Sequence, residues 1–321
     1  MNSCNALLKA IDKYIQKADD DLINALKKAG YIRPKETITW AEGIEDAITE
    51  ALEEESAMFF DYAGNALDIE EFAERIWPEI KLTDALAEKV TTIFAEQLRD
   101  FLPELIEPYL KRTDNALTLL SVTKKTTAWI ESWSKELGSL MKLTSHTTIE
   151  DILKKDLESG VGIQQFILDI QESGIREERY RARRTAITEA LRAHSVAQEE
   201  AIQQSPAVEE KEWVHSGSYR NVPRQNHVDM DGQIVKKEAA FTLIGADGET
   251  YYPMYPRDPI LPPGESINCH CIHRGIVSEE ILGLPLERRK ELQAEAIAEM
   301  DDAWEKELNE RNKAKAGIVV P

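Results

Sequence analysis

Apolar positions recur at spacings of three and four along most of this chain, the period of helices that bury one face. Residues 4–29 read as a first helix, closed by Gly30 and Pro34. A second is expected to start at Thr39–Glu42, a T-x-x-E capping box in which each side chain satisfies the other's backbone N–H. Ile44, Ile48, Leu52 and Phe59 share its apolar face, and a short helix is expected to end before Pro78. Leu86, Val90, Phe94, Leu98 and Leu105 form the next stripe, with Pro103 and Pro108 expected to kink or split it. Trp129, Trp133, Leu137 and Met141 follow at spacings of four, the pattern of a core or partner-contact stripe. Thr147–Glu150 is a second capping box, and Ser159–Gly162 breaks two short helices. A strong helix is expected from Arg176 to about Gln204, ended by Ser205-Pro206.

The helical period then stops. Glu212 to His215 suits a short strand. Phe241–Ile244, the Asp247-Gly248 turn and Thr250–Tyr252 read as a hairpin. Pro253 to Gly264 holds five prolines and reads as an ordered loop, and Ile267 to Ile272 reads as a strand carrying two cysteines. Helix resumes at Ser278 and continues through the charged run Glu287–Lys315 as a docked or interaction helix; Gly317–Pro321 reads as a tail. The fold expected is a mainly α N-terminal region with a small, irregular, loop-rich α+β C-terminal module and a C-terminal helix. The corresponding division is 1–145, 146–277 and 278–321.

Composition narrows the function classes. No run of about 18 apolar residues exists, so no membrane span and no membrane partner are expected. The first ten residues lack a cationic segment followed by an apolar one, so no secretory signal is expected. Three cysteines are an odd set for a disulfide framework, and a reducing compartment fits them. The net charge of -20 is uneven: residues 1–150 carry -11, whereas residues 176–275 carry only -2. Such acidity argues against broad duplex binding, which runs on phosphate neutralisation.

The chemistry-bearing residues concentrate between Trp213 and Arg274, which hold four of the six histidines and two of the three cysteines. His215, His227, Cys269 and Cys271 are a candidate zinc set, since zinc takes four ligands of these types in a tetrahedron. On a strand the two cysteines would share a face while His270 turns away. Against this, C-x-C is weaker than C-x-x-C, and two buried cysteines can be plain core residues. A cysteine nucleophile with His215 or His227 as base is a second chemistry. Asp229 and Asp231 beside His227 would suit a metal-dependent nuclease, but M-D-G more often marks a turn with Asp231 bonding locally and Gly232 left-handed. Arg224 and His227 fit a role tying the long loops together. Arg181, Arg184 and Arg192 cluster with Thr188 on one helix side. They are the candidate DNA contacts, with ion pairing to Glu177, Glu178 and Glu189 as the plainer reading.

These residues also form an ordered series: R-R-T-A-I-T-E-A (Arg183–Ala190), K-E-W (Lys211–Trp213), R-x-x-H-x-x-x-D-G (Arg224–Gly232), Phe241, a proline-rich loop, then I-N-C-H-C (Ile267–Cys271). The series resembles the C-terminal domain of the phage Mu protein F-like minor head proteins, the phage head morphogenesis proteins, over about residues 150–277. His270 stands where that family usually has arginine. The resemblance implies a virion structural protein of few copies, located in the capsid interior or at the portal vertex and in the host cytoplasm during assembly. It implies the portal protein as partner, with scaffold, major capsid protein and packaged DNA as further candidates, and a part in DNA packaging or ejection. The expectation is a binding protein, not an enzyme, with no cofactor. Trp213, His215, Arg224, His227, Asp231, Gly232, Asn268, Cys269 and Cys271 would hold its module together. The alternatives are a zinc- or cysteine-dependent enzyme (nuclease, hydrolase or toxin-like transferase) and a DNA-binding accessory protein.

Overall fold

A computed structural model describes residues 19–175, 177–217 and 223–315. The helix start at Arg176, the first part of the helix over 4–29 and the tail at 317–321 lie outside the described residues. The architecture is a helical N-terminal region, a small sheet-bearing C-terminal part and a C-terminal helix. Residues 19–29 are helical (α1). Then come α2 (Pro34–Gly64), α3 (Ile69–Glu71), a π-turn (Phe72–Ile76), α4 (Trp77–Thr83), α5 (Leu86–Thr113), α6 (Lys124–Ser159), α7 (Ile163–Glu172) and α8 (Glu178–Gln204). The C-terminal part runs β1 (Val208–Val214), α9 (Gln225–Asp229), β2 (Ile234–Lys236), β3 (Leu243–Ile244), β4 (Thr250–Tyr251), α10 (Pro263–Ser266), β5 (Ile272–Val277), α11 (Glu279–Leu282) and α12 (Leu286–Lys315).

Several boundaries differ from the sequence expectation, each for a physical reason. Neither T-x-x-E box caps a helix. Helix α2 starts at Pro34, whose fixed φ and missing N–H suit a first turn, so Thr39 is already inside it. Thr147 lies deep in α6, because the apolar spacing of Trp133, Leu137 and Met141 runs on through Ile149 and Leu153, all buried. Pro103 and Pro108 do not split α5. Leu102, Leu105, Ile106, Tyr109 and Leu110 are buried around them, and that packing offsets the lost backbone bonds. Pro78 does not end a helix either; it sits in the first turn of α4, where proline is tolerated.

The chain forms two compact units. One comprises residues 41–98 and 129–186, and the other residues 1–40, 99–128 and 187–321. The first unit is purely helical among its described residues and closes on an aromatic core. Phe59, Phe72 and Phe166 are fully buried, with Trp77, Ile163 and Ile170 beside them. Phe59 meets Phe72 edge-on at 5.7 Å between centroids, the geometry that ring quadrupoles favour. Gly138 on α6 lets α5 come close, since a Cβ there would stand 2.3 Å from the Ala87 carbonyl.

The second unit carries the sheet. β1 is central in a three-stranded antiparallel sheet of order β2-β1-β5, with Trp213 opposite His273 and Lys211 opposite Gly275. β3 and β4 form the expected hairpin. Helix α8 is buried on every side from Thr188 to Ala201 although it is rich in charge. The first half of α12 docks within this unit, where buried Gln293 donates to the Thr118 carbonyl at 3.0 Å.

Candidate functional site

Ile267–Cys271 is not a strand. A short helix, α10, ends at Ser266, Asn268 takes the left-handed conformation (φ 58°), and β5 begins only at Ile272. Asparagine tolerates that conformation better than most residues, which accounts for its place ahead of the cysteines. The carbonyls of Cys269 and Cys271 are taken by the Arg257 guanidinium at 2.7 and 3.0 Å, not by a neighbouring strand. The Tyr31 hydroxyl also donates to the Cys271 carbonyl, at 3.2 Å. This frame, rather than a pleat, turns both sulfurs to the same side.

There they meet the histidine of α9. His227 Nδ1 lies 3.5 Å from Cys269 Sγ and 3.6 Å from Cys271 Sγ. The other ring nitrogen, Nε2, lies 2.8 Å from a Glu265 carboxylate oxygen. The second Glu265 oxygen accepts from the Ala246 backbone N–H at 2.8 Å. His215, at the end of β1, places Nδ1 3.6 Å from Cys271 Sγ. His227, Cys269 and Cys271 are buried, with 2%, 3% and 3% exposure, whereas His215 is half-buried. Trp213 and Phe241 pack edge to face at 5.3 Å and, with Met230, Leu243 and Leu261, wall the two cysteines off.

The remaining motif residues hold this arrangement. Asp231 accepts the His215 backbone N–H at 2.8 Å, reaching across to β1 instead of bonding within its own turn. Gly232 is left-handed (φ 79°), and its N–H bonds the Trp213 carbonyl at 2.9 Å. Arg224 donates to the Ile267 carbonyl at 2.6 Å, tying the loop before α9 to the cysteine loop. Asp229 accepts from Gln225 on its own helix. His270 stands outside the cluster; its carbonyl accepts the Ser216 hydroxyl at 2.6 Å.

The arginines of α8 are placed differently. Arg181 is buried and donates to the Ile175 carbonyl and the Ser145 hydroxyl, each at 3.0 Å. Arg192 is buried, pairs with Glu189 at 2.9 Å and donates to the Arg257 carbonyl. Both are committed to internal acceptors, which removes them as phosphate contacts in this fold. Arg184 lies over the Tyr180 ring.

Burial governs the electrostatics. The two thiols share one site and titrate as a pair. Cys271 beside it, then His227 and Arg257, hold the Cys269 thiol well below its ordinary value, while the neighbouring Cys269 pushes Cys271 up. Burial lowers His227, but Cys269 and Glu265 outweigh it and leave the pKa raised. The Trp213 N–H has no oxygen or nitrogen partner and favours the Cys271 thiolate. The set can hold a soft divalent metal. It also contains a nucleophile, base and carboxylate in relay order, but that relay is shut behind aromatic side chains.

Sequence reasoning missed the charged residues beneath the site. Arg257 is 1% exposed, adopts a left-handed backbone (φ 64°) and also donates to the Ser195 hydroxyl at 2.6 Å. Lys211, fully buried on β1, pairs with Glu199 at 2.7 Å. Glu199 also bonds His273 at 3.0 Å, a contact that keeps its carboxyl below the usual range despite burial. The available signal was Lys211 and Trp213 sharing one strand face in an E-K-E-W run, with Glu199 in a helix lacking an apolar stripe.

The family described as phage Mu protein F like protein matches residues 147–274, a span that includes every motif residue of this cluster. The chain is 34% identical over 316 residues to a Bacillus subtilis (strain 168) protein named uncharacterized protein YqbB, covering 94% of this chain and 100% of that one. No solved structure matches. The chain belongs to the phage Mu protein F-like family of phage head morphogenesis proteins.

Proposed function

We propose that the protein is a minor head component that docks at the portal vertex during prohead assembly and aids DNA packaging or delivery. The family relationship carries this reading. The cluster is consistent with it: a site whose sulfurs and base are buried braces a fold more readily than it turns over a substrate. No helix among the described residues is long and apolar enough to cross a membrane. The acidity of residues 1–150 suits a basic partner surface and discourages adhesion to packaged DNA.

The test is co-sedimentation of the full-length protein with portal rings of the same phage at moderate salt. Full-length protein is needed because one compact unit is assembled from residues 1–40, 99–128 and 187–321, so deleting the N-terminal helices would dismantle it. Binding that weakens as salt rises is expected. No binding at micromolar protein would overturn direct portal docking.

A further inference from the structure

We propose that His227, Cys269 and Cys271, closed by His215, form a four-ligand structural zinc site. Distances are the first argument. A tetrahedral zinc with sulfur at about 2.3 Å and nitrogen at about 2.05 Å sets its nitrogen and sulfur ligands about 3.6 Å apart. The three observed separations, His227 Nδ1 to both sulfurs and His215 Nδ1 to Cys271, are 3.5, 3.6 and 3.6 Å.

Valence is the second argument. The Glu265 carboxylate beside Nε2 favours the His227 tautomer that carries Nε2–H, and in that tautomer Nδ1 has one lone pair. One lone pair cannot accept from two thiols, yet two sulfurs stand at the same distance from it. A cation on the axis of that lone pair satisfies all three atoms. Charge is the third. Two thiolates and zinc cancel, and the buried charges that contact these ligands, Glu265 and Arg257, are opposite in sign. Glu265 on the second nitrogen of His227 is the carboxylate–histidine–metal arrangement that fixes tautomer and ring orientation. The fourth ligand decides the class of site. His215 is half-buried and places Nδ1 3.6 Å from Cys271 Sγ, but it stands outside the group formed by His227, Cys269 and Cys271, whose ligand atoms all lie within 4.8 Å of one another; it must therefore turn inward to fill the position that a catalytic zinc keeps for water.

The experiment uses the full-length protein, purified without chelator or added metal. Elemental analysis is expected to find about one zinc per chain. After stripping, titration with cobalt(II) is expected to give a thiolate charge-transfer band and the intense visible bands of a tetrahedral site. His215→Ala, at a partly exposed position, should stay folded and lose zinc affinity by at least about tenfold. His270→Ala, one residue from each cysteine, should bind zinc as the wild type does. Absence of zinc together with absence of the cobalt bands in folded wild-type protein would overturn the site. Unchanged zinc affinity in His215→Ala would overturn its closure by a fourth protein ligand. Cys269→Ser should lose the charge-transfer intensity; the wild-type and His215→Ala results decide the matter whether or not that variant folds.

Discussion

Both compact units bury charge, the helical one in Glu45, Asp84, His146, Asp156 and Arg181, but they close on different centres. The helical unit closes on Phe59, Phe72, Trp77 and Phe166, where contact is non-directional and nearly any apolar side chain of suitable shape contributes. The sheet-bearing unit buries Arg192, Arg257, Lys211, Glu199, Glu200 and His273, and it sets the cysteine cluster among them. Most of their polar atoms are matched, Lys211 to Glu199, Arg192 to Glu189, Arg257 to two carbonyls and a hydroxyl, Glu200 to Thr123 and Thr126, while Arg257 Nε and His273 Nδ1 have no partner. Such a core is costly to form and intolerant of partial change, but it fixes one geometry. That is the property a loop-rich region needs if four ligand atoms are to meet, and the family match covers much of it.

The comparison can be broken by swaps of similar volume. Lys211→Met keeps the bulk but strips the buried Glu199 of its cation, leaving it the contacts with Gln203 and His273; it should destabilise the protein by about 3–5 kcal/mol in denaturant titration. Adding Glu199→Gln should recover part of that loss, and a double mutant no better than Lys211→Met would show the pair is not coupled. Next in size is a pH effect. His194 is buried with Nε2 bonded to Thr37 at 2.7 Å and Nδ1 to Tyr109 at 2.9 Å, and burial lowers its pKa to about 3. Its neutral form contributes stability that is complete above the unfolded value near 6.5 and is lost as pH falls towards 3. This one group should cost about 2 kcal/mol between pH 7 and pH 5, and His194→Gln should flatten that part of the curve.

In the aromatic unit, Ile170→Val should cost only about 0.5–1.5 kcal/mol, although Ile170 is fully buried. A loss as large as that of Lys211→Met would erase the distinction between the units. Smallest of all, Lys124→Met removes a pair with Glu305 whose side chains are both more than half exposed, and the unfolding midpoint should not move measurably.

The aromatic unit was the more legible in sequence, because its stabilising pattern is periodic. Leu86, Val90, Phe94 and Leu98 announce a buried face one turn at a time, and all four are buried. Its error was at a boundary, where Thr147 imitates a cap that the longer apolar period of α6 overrides. In the sheet-bearing unit the ligand types were visible, but the geometry was not. Cys269 and Cys271 do face the same way, yet Asn268 and Arg257 arrange this, and Arg257 lies in a proline-rich loop with no periodicity to flag it. The Glu265–His227 and Tyr31–Cys271 contacts span 38 and 240 residues of chain, and no local pattern encodes such pairings.

In the proposed zinc site this polar, ligand-bearing core closes around a metal and works as a brace rather than as a catalyst. Anomalous diffraction at the zinc edge, from crystals grown without added metal, tests it most directly. The account predicts one peak bonded to His227 Nδ1, Cys269 Sγ, Cys271 Sγ and His215 Nδ1. A peak with water in place of His215, or no peak between the two sulfurs, would contradict it.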